Sequence, residues 1–223
     1  MHCKQPLKQL LKDIDAVVFD LDGTLVDSMW IWSEIDREFL ASYGIEYKGA
    51  IPEIDGMSYT ETAVYFKEAY HIPLSIEEIK DVWYRMSVEK YSTEVRLKAH
   101  AEEFLFYLKS HNIRTAIATS NSIELTETCL KALKVRELFD FIITADMVNK
   151  GKPAPDIYIY AAKQLKAEPE RCLAFEDIPA GIMAAERAGM RTVAVYDKAS
   201  AKKDAEKKAL ADAFISDYAE MLG

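Results

Sequence analysis

From Leu97 onward, helical stretches alternate with short apolar runs, and this alternation narrows the fold to one class. Helical periodicity marks Glu102 to Lys109, Ile123 to Leu133, Pro155 to Leu165 and Ile178 to Ala188, the last closed by Gly189. Strands are expected at Ile113 to Thr119, Phe139 to Thr144, Cys172 to Phe175, Thr192 to Tyr196 and Ala213 to Ser216. Helices of about ten residues between strands make βαβ units, hence an α/β fold with a mostly parallel sheet covered on both faces. In such sheets ligands bind beyond the carboxyl ends of the strands.

One more strand stands apart. After a short amphipathic lead-in at residues 4–12, Ala16-Val17-Val18-Phe19 runs straight into Asp20-Leu21-Asp22-Gly23. If the extended conformation persists to Asp22, the pleat puts both carboxylates on one side of the chain. Two such carboxylates repel, and one keeps its proton unless a cation lies between them. Gly23 lets the backbone approach a ligand closely. Asp-Gly is equally an ordinary turn signal, which leaves a polar strand end as the alternative. From Met29 to about Arg96 helical periodicity takes over with no buried strand: Ile31, Ile35, Phe39 and Leu40 share a face, and Gly44 ends that helix. Thr62 to Tyr70 and Ile76 to Tyr91 are two more helices, with breaks at Pro52 and Pro73 and with Trp83 and Tyr84 as core.

A chain of 223 residues, half of them hydrophobic, is long enough for one large domain carrying a smaller insert. The formal net charge of -9, from 28 basic and 37 acidic residues, argues against nucleic acid or an anionic membrane surface as partner. An anionic substrate therefore needs local positive charge, from a metal or a specific Lys. No run approaches the roughly 18 apolar residues of a membrane span, and Met1 to Lys12 lacks a signal-like apolar region, so a soluble cytoplasmic protein is expected. Nothing resembles a heptad seam, and a monomer is expected. Cys3, Cys129 and Cys172 form no close pair and no metal spacing; Cys129 and Cys172 read as packing residues. The charge run Lys198 to Lys208 reads as a solvated helix face, and His2, His71, His100 and His111 as surface or packing residues.

Three further strings end expected strands or lead into helices. Ala118-Thr119-Ser120-Asn121 sets a hydroxyl and free backbone N–H groups at a helix start, a natural phosphate cradle. A plain N-cap by Ser120 or Ser122 is the alternative. In Asn149-Lys150-Gly151-Lys152-Pro153-Ala154-Pro155-Asp156, two prolines stiffen the approach to a helix. Leu173-Ala174-Phe175-Glu176-Asp177-Ile178-Pro179-Ala180-Gly181 ends a strand in two acids, of which Asp177 is equally placed to cap.

The string Asp20-Leu21-Asp22-Gly23-Thr24-Leu25-Val26-Asp27-Ser28 resembles the first motif of the haloacid dehalogenase-like (HAD) phosphohydrolases. The three later strings resemble the second, third and fourth motifs of that family, in order. The resemblance implies a Rossmann-like core of residues 1–28 and 97–223. A small all-helical cap, residues 29–96, would be inserted between hinges near Asp27–Ser28 and Ser92–Val95. It implies Asp20 as the nucleophile that becomes an aspartyl phosphate and Asp22 as general acid/base. Thr119 would be the phosphate-binding hydroxyl, with Ser120 and Asn121 beside it, and Lys152, rather than Lys150, the charge-neutralising ammonium. Mg²⁺, which prefers an all-oxygen shell, would be held by Asp20, Asp177 and the backbone carbonyl of Asp22, with Glu176 through water.

The activity implied is hydrolysis of a small phosphate monoester, a sugar phosphate or similar metabolite. Asp22 separates the chain from the dehalogenases and phosphonate hydrolases of the family. The β-phosphoglucomutase branch is the closer rival. It carries a cap His twelve residues after the nucleophile and an Arg just after a cap Gly-x-Ser. Here those positions are Trp32 and, in Gly56-Met57-Ser58-Tyr59, Tyr59. Without the Arg a second phosphate lacks a bidentate anchor, which favours a phosphatase. A HAD-shaped binding protein without catalysis is the remaining reading, although every catalytic position is filled. Trp30, Trp32, Met57 and Tyr59 either line the substrate pocket or pack the cap helices together.

Overall fold

The computed structural model describes residues 7–49 and 51–222. After the short helix α1 (Leu7–Leu10), the chain enters β1 (Ala16–Phe19), four fully buried residues. Next come β2 (Val26–Asp27) and three helices, α2 (Met29–Ser42), α3 (Tyr59–Ala69) and α4 (Ile76–Thr93), before β3 (Arg96–Leu97). Helices and strands then alternate: α5 (Ala101–Ser110), β4 (Arg114–Thr119), α6 (Ile123–Ala132), β5 (Phe141–Thr144), α7 (Asp156–Gln164) and β6 (Cys172–Glu176). The chain ends with α8 (Pro179–Arg187), β7 (Arg191–Val195), α9 (Asp204–Leu210), β8 (Ala213–Ile215) and α10 (Ala219–Leu222). Among the described residues no helix is long and apolar enough to cross a membrane.

Six strands form one parallel sheet in the order β5-β4-β1-β6-β7-β8. The chain builds outward from β1 on one side and then returns to build outward on the other. That reversal opens a crevice beyond the carboxyl end of β1. Register makes the crevice specific: Phe19 lies level with Ile117 on β4 and with Phe175 on β6, so the residues after all three leave at one edge. One face of the sheet buries large rings, with Phe19 stacked on Phe175 at 5.0 Å and Phe104 against Phe175 at 5.5 Å. The other face is built from small residues, Ala16, Ala116, Ala118 and Ala174, which let α7 and α8 approach closely. The fold is α/β as the alternation predicts.

Between β2 and β3 the described residues contain helices and no strand. Phe39, Phe66 and Trp83 form the core of this segment, Phe66 and Trp83 edge to face at 5.1 Å. Ser58 with Glu61 and Ser75 with Glu78 are capping boxes, each side chain satisfying the other residue's backbone N–H. The first starts α3 at Tyr59, three residues before the periodicity announces it.

Three local expectations need correction. The strand stops at Phe19, and the chain then turns, the Leu21 carbonyl accepting from the N–H groups of Leu25 and Val26. Asp20 and Asp22 therefore sit in different surroundings rather than sharing a pleat face. The ribbon of β2 and β3, pairing Val26 with Leu97 and Asp27 with Arg96, was not foreseen, because two-residue strands have no periodicity. Lys207, within the run read as solvated, is fully buried. Its ammonium donates to the Val195 carbonyl at 3.2 Å and to Ser200 Oγ at 3.0 Å, and pairs with Asp204 at 2.8 Å. Cys129 and Cys172 are buried and His71, His100 and His111 exposed, as expected; Cys3 and His2 lie outside the described residues.

Candidate active site

The strand ends bring four charged side chains together. Asp20 follows β1, Glu176 ends β6, Asp177 comes next, and Lys152 reaches in from the connection between β5 and α7. The Lys152 ammonium lies 2.7 Å from Asp20 Oδ1 and 2.5 Å from Glu176 Oε1, and donates to the Ala118 carbonyl at 3.1 Å. Burial works against its charge, but Asp20 and Glu176 outweigh that and hold its pKa above the ordinary Lys value. Lys150 is exposed, so of the two lysines it is Lys152 that reaches the carboxylates.

One ammonium does not satisfy three carboxylates. Thr24 Oγ1 donates to Asp177 Oδ1 at 3.2 Å and Tyr158 donates to Glu176 Oε1 at 2.5 Å. Asp177 Oδ2 and Glu176 Oε2 are buried without a partner. Burial, then the charges of Asp20 and Glu176, push the Asp177 carboxyl well up. Burial likewise lifts Glu176 to about 7, against the pull of Lys152. Such groups call for a cation. Carboxylate oxygens of Asp20, Glu176 and Asp177 lie within 4.8 Å of one another, an all-oxygen set of the kind Mg²⁺ takes. Gly23, at φ +80°, keeps this space open, because a Cβ there would lie 2.6 Å from Asp177 Oδ2.

Asp22 meets only neutral donors. Ser28 Oγ donates to its Oδ1 at 2.6 Å, the Tyr91 hydroxyl donates to the same oxygen, and Asn121 Nδ2 donates to Oδ2 at 2.9 Å. Burial pushes the Asp22 carboxyl up and the charge of Asp20 adds to this, while the bonds from Ser28, Tyr91 and Asn121 pull it back. Burial, followed by the charge of Asp22, holds the Tyr91 phenol well above its ordinary value and so keeps it protonated.

Thr119 is buried at the end of β4, its Oγ1 accepting from the Asn121 N–H at 3.0 Å. Ser122 caps α6 by accepting from the Leu125 N–H at 3.2 Å, which leaves Ser120 half-buried beside the crevice and outside the cap. Gly56 packs on the Lys152 backbone: a Cβ there would lie 2.8 Å from the Lys152 carbonyl oxygen. Met57 is half-buried in the same loop, and Ser58 is committed to capping α3. Tyr59 is buried in the aromatic core, its hydroxyl donating to the Lys80 carbonyl at 3.3 Å and its ring 5.7 Å from Trp83. Trp32 is half-buried and donates to the Tyr91 hydroxyl at 2.9 Å, whereas Trp30 lies at the surface. Sequence reasoning missed Tyr91, Tyr158 and Ser200, the last donating to the Asp177 carbonyl at 2.8 Å. No local pattern marks them.

The family profile of haloacid dehalogenase-like hydrolases matches residues 17–195. The chain is 32% identical over 197 residues to the bifunctional riboflavin kinase/FMN phosphatase of Arabidopsis thaliana, covering 87% of this chain and 51%, about half, of that protein. To the phosphorylated carbohydrates phosphatase of Thermotoga maritima it is 31% identical over 181 residues, 81% of this chain and 84% of the other. The crystal structure of CbbY from Rhodobacter sphaeroides in complex with phosphate shares the fold with a TM-score of 0.81 at 29% identity, over 93% of this chain and 96% of that one. The chain belongs to the haloacid dehalogenase-like hydrolase family and is an enzyme of its phosphatase class.

Proposed function

We propose that this protein is a Mg²⁺-dependent phosphatase that hydrolyses a small phosphorylated metabolite, a sugar phosphate or a similar monoester, through an aspartyl phosphate. The observation that carries this reading is the Asp20 carboxylate, held 2.7 Å from Lys152 and beside two carboxylates with unpartnered buried oxygens. Mg²⁺, when bound by Asp20, Asp177 and the Asp22 carbonyl with Glu176 alongside, supplies positive charge against the phosphoryl oxygens.

Asp20 attacks phosphorus in line. As the ester P–O bond breaks, its electron pair goes to the ester oxygen, which takes a proton from Asp22. Water then gives a proton to Asp22 and attacks phosphorus, releasing phosphate and restoring the Asp20 carboxylate. Lys152 balances the equatorial charge, and the Thr119 hydroxyl, whose oxygen accepts from the Asn121 N–H, gives its proton to a phosphoryl oxygen. Residues 29–96 act as a cap that shields the reaction from water and meets the leaving group. Two contacts support this role: Gly56 against Lys152, and Thr60 donating to Asp146 at 2.8 Å. The similarity to a carbohydrate phosphatase supports the substrate class.

The mutase alternative gains nothing from the structure. Trp32 spends its indole N–H on Tyr91, and Tyr59 spends its hydroxyl on Lys80. The deciding experiment measures phosphate release from sugar phosphates, nucleotides and β-glucose 1-phosphate with its bisphosphate activator, with EDTA and Asp20→Asn controls. Release that requires both Mg²⁺ and Asp20 is expected, with a loss of at least about a thousandfold in the variant. Conversion of glucose 1-phosphate to glucose 6-phosphate without net release would identify a mutase.

A further inference from the structure

We infer that Tyr91, near the end of α4, is a positioning residue that fixes which oxygen of Asp22 exchanges the proton with the leaving group. The inference rests on the phosphatase reading above and adds a residue that none of the four motifs contains.

The hydrogen-bond directions around Tyr91 are forced by chemistry. Trp32 Nε1 can only donate, and it lies 2.9 Å from the phenol oxygen. Asn121 Nδ2 also only donates, and lies 3.1 Å from the same atom. The amide cannot be turned round, because Asn121 Oδ1 accepts the Ser122 backbone N–H at 2.7 Å. Both acceptor positions of the phenol are filled, so its one proton points to Asp22 Oδ1; Ser28, the other hydroxyl beside the phenol, gives its own proton to that same oxygen. That oxygen already accepts from Ser28 at 2.6 Å and is then saturated. Asp22 Oδ2 accepts only from Asn121 and keeps a lone pair free. The transferable proton is therefore carried on Oδ2, and the carboxyl cannot rotate without breaking three bonds at once. When the ester bond breaks, the pair left on the ester oxygen takes the proton from Oδ2, and the second half of the reaction returns a proton there from water.

A buried phenol between α4 and α6 also packs, and leaving-group dependence separates the two roles. Protonation matters for a basic alkoxide and little for an activated phenolate. Wild type, Tyr91→Phe and Trp32→Phe are compared on 4-nitrophenyl phosphate and on alkyl and sugar phosphates with Mg²⁺. Tyr91→Phe is expected to lower kcat on alkyl esters about tenfold, a fraction of a full acid–base contribution, with less than about a twofold loss on 4-nitrophenyl phosphate. Trp32→Phe keeps the phenol proton but frees an acceptor position, and should give the same selectivity with a smaller amplitude. An equal fall on all esters in both variants would reduce Tyr91 to packing and overturn the inference. Should Tyr91→Phe fail to fold by circular dichroism, the selectivity of Trp32→Phe decides. If wild type releases no phosphate from any ester in a Mg²⁺- and Asp20-dependent way, the phosphatase reading fails first and the inference falls with it.

Discussion

The strand ends of the sheet and the helical segment between β2 and β3 contribute opposite chemistry to one crevice. The strand ends and the connection carrying Lys152 supply formal charge, Asp20, Glu176, Asp177 and Lys152, all buried. Two carboxylate oxygens there have no partner. The helical segment supplies neutral groups: Tyr91, which joins Asn121 and Ser28 in meeting Asp22 on both of its oxygens, and Trp32, which donates to the Tyr91 hydroxyl. In the first arrangement desolvation and mutual repulsion act on carboxylates that a single ammonium does not neutralise. The second is complete as it stands. The same crevice thus holds one cluster of carboxylates under electrostatic load and, beside it, one carboxylate held in a network of neutral hydrogen bonds.

Removing the Lys152 ammonium from the charged half is the harshest way to break this contrast. Lys152→Ala strips the buried Asp20 and Glu176 carboxylates of their ammonium partner and should cost the metal-free protein about 3–5 kcal/mol. Urea denaturation in EDTA measures this, and an unchanged midpoint would mean that the carboxylates carry no such load. The pH dependence of the wild type sharpens the same point. Glu176 rises from its ordinary 4.5 to about 7 on folding, so between those values the folded state holds the extra proton. Stability is therefore fully present below pH 4.5 and is lost as pH rises through about 7, by about 3 kcal/mol from this group. Asp177, also raised, acts in the same direction. Saturating Mg²⁺ should flatten the slope, and melts across pH with and without the metal test this.

Gly23→Ala comes next. Its Cβ would lie 2.6 Å from Asp177 Oδ2, on a backbone at φ +80°, and about 1–3 kcal/mol of destabilisation is expected. Mg²⁺ should recover less stability in this variant than in wild type, because the added carbon occupies the binding space. The smallest effect belongs to the neutral side. Thr60→Ala removes an exposed hydroxyl that donates to Asp146, and should change stability by no more than about 0.5 kcal/mol. A larger loss would show that the contact between α3 and the residues following β5 carries the helical segment's placement.

Much of this protein was legible before any coordinates. The boundaries of α2 and α4 to α8 follow periodicity to within two residues, since a helix face or a buried strand is a local pattern. The strings at the strand ends were equally legible, because a short polar run after an apolar strand in a parallel sheet has one place to go. Lys207 shows where local reading fails: it sits among exposed Lys202 and Lys208, and its burial depends on the reach of its ammonium to the end of β7. Ser58 and Ser75 show a signal that was present but unread, since each stands three residues before a Glu.

The amino-acid sequence by itself determined the parallel sheet, the helical segment interrupting it and the four polar strings that end strands or lead into helices. Periodicity, caps and strand-end position are properties of neighbours in the chain. Only the tertiary structure decided that Asp20 takes the cation while Asp22 takes neutral donors. The partners of Asp22 include Tyr91, 69 residues away, and Asn121, 99 residues away. They meet because α4 lies along α6 and because β4 runs in register beside β1. A carboxylate's environment is set by what packs around it, and no spacing within the chain encodes that.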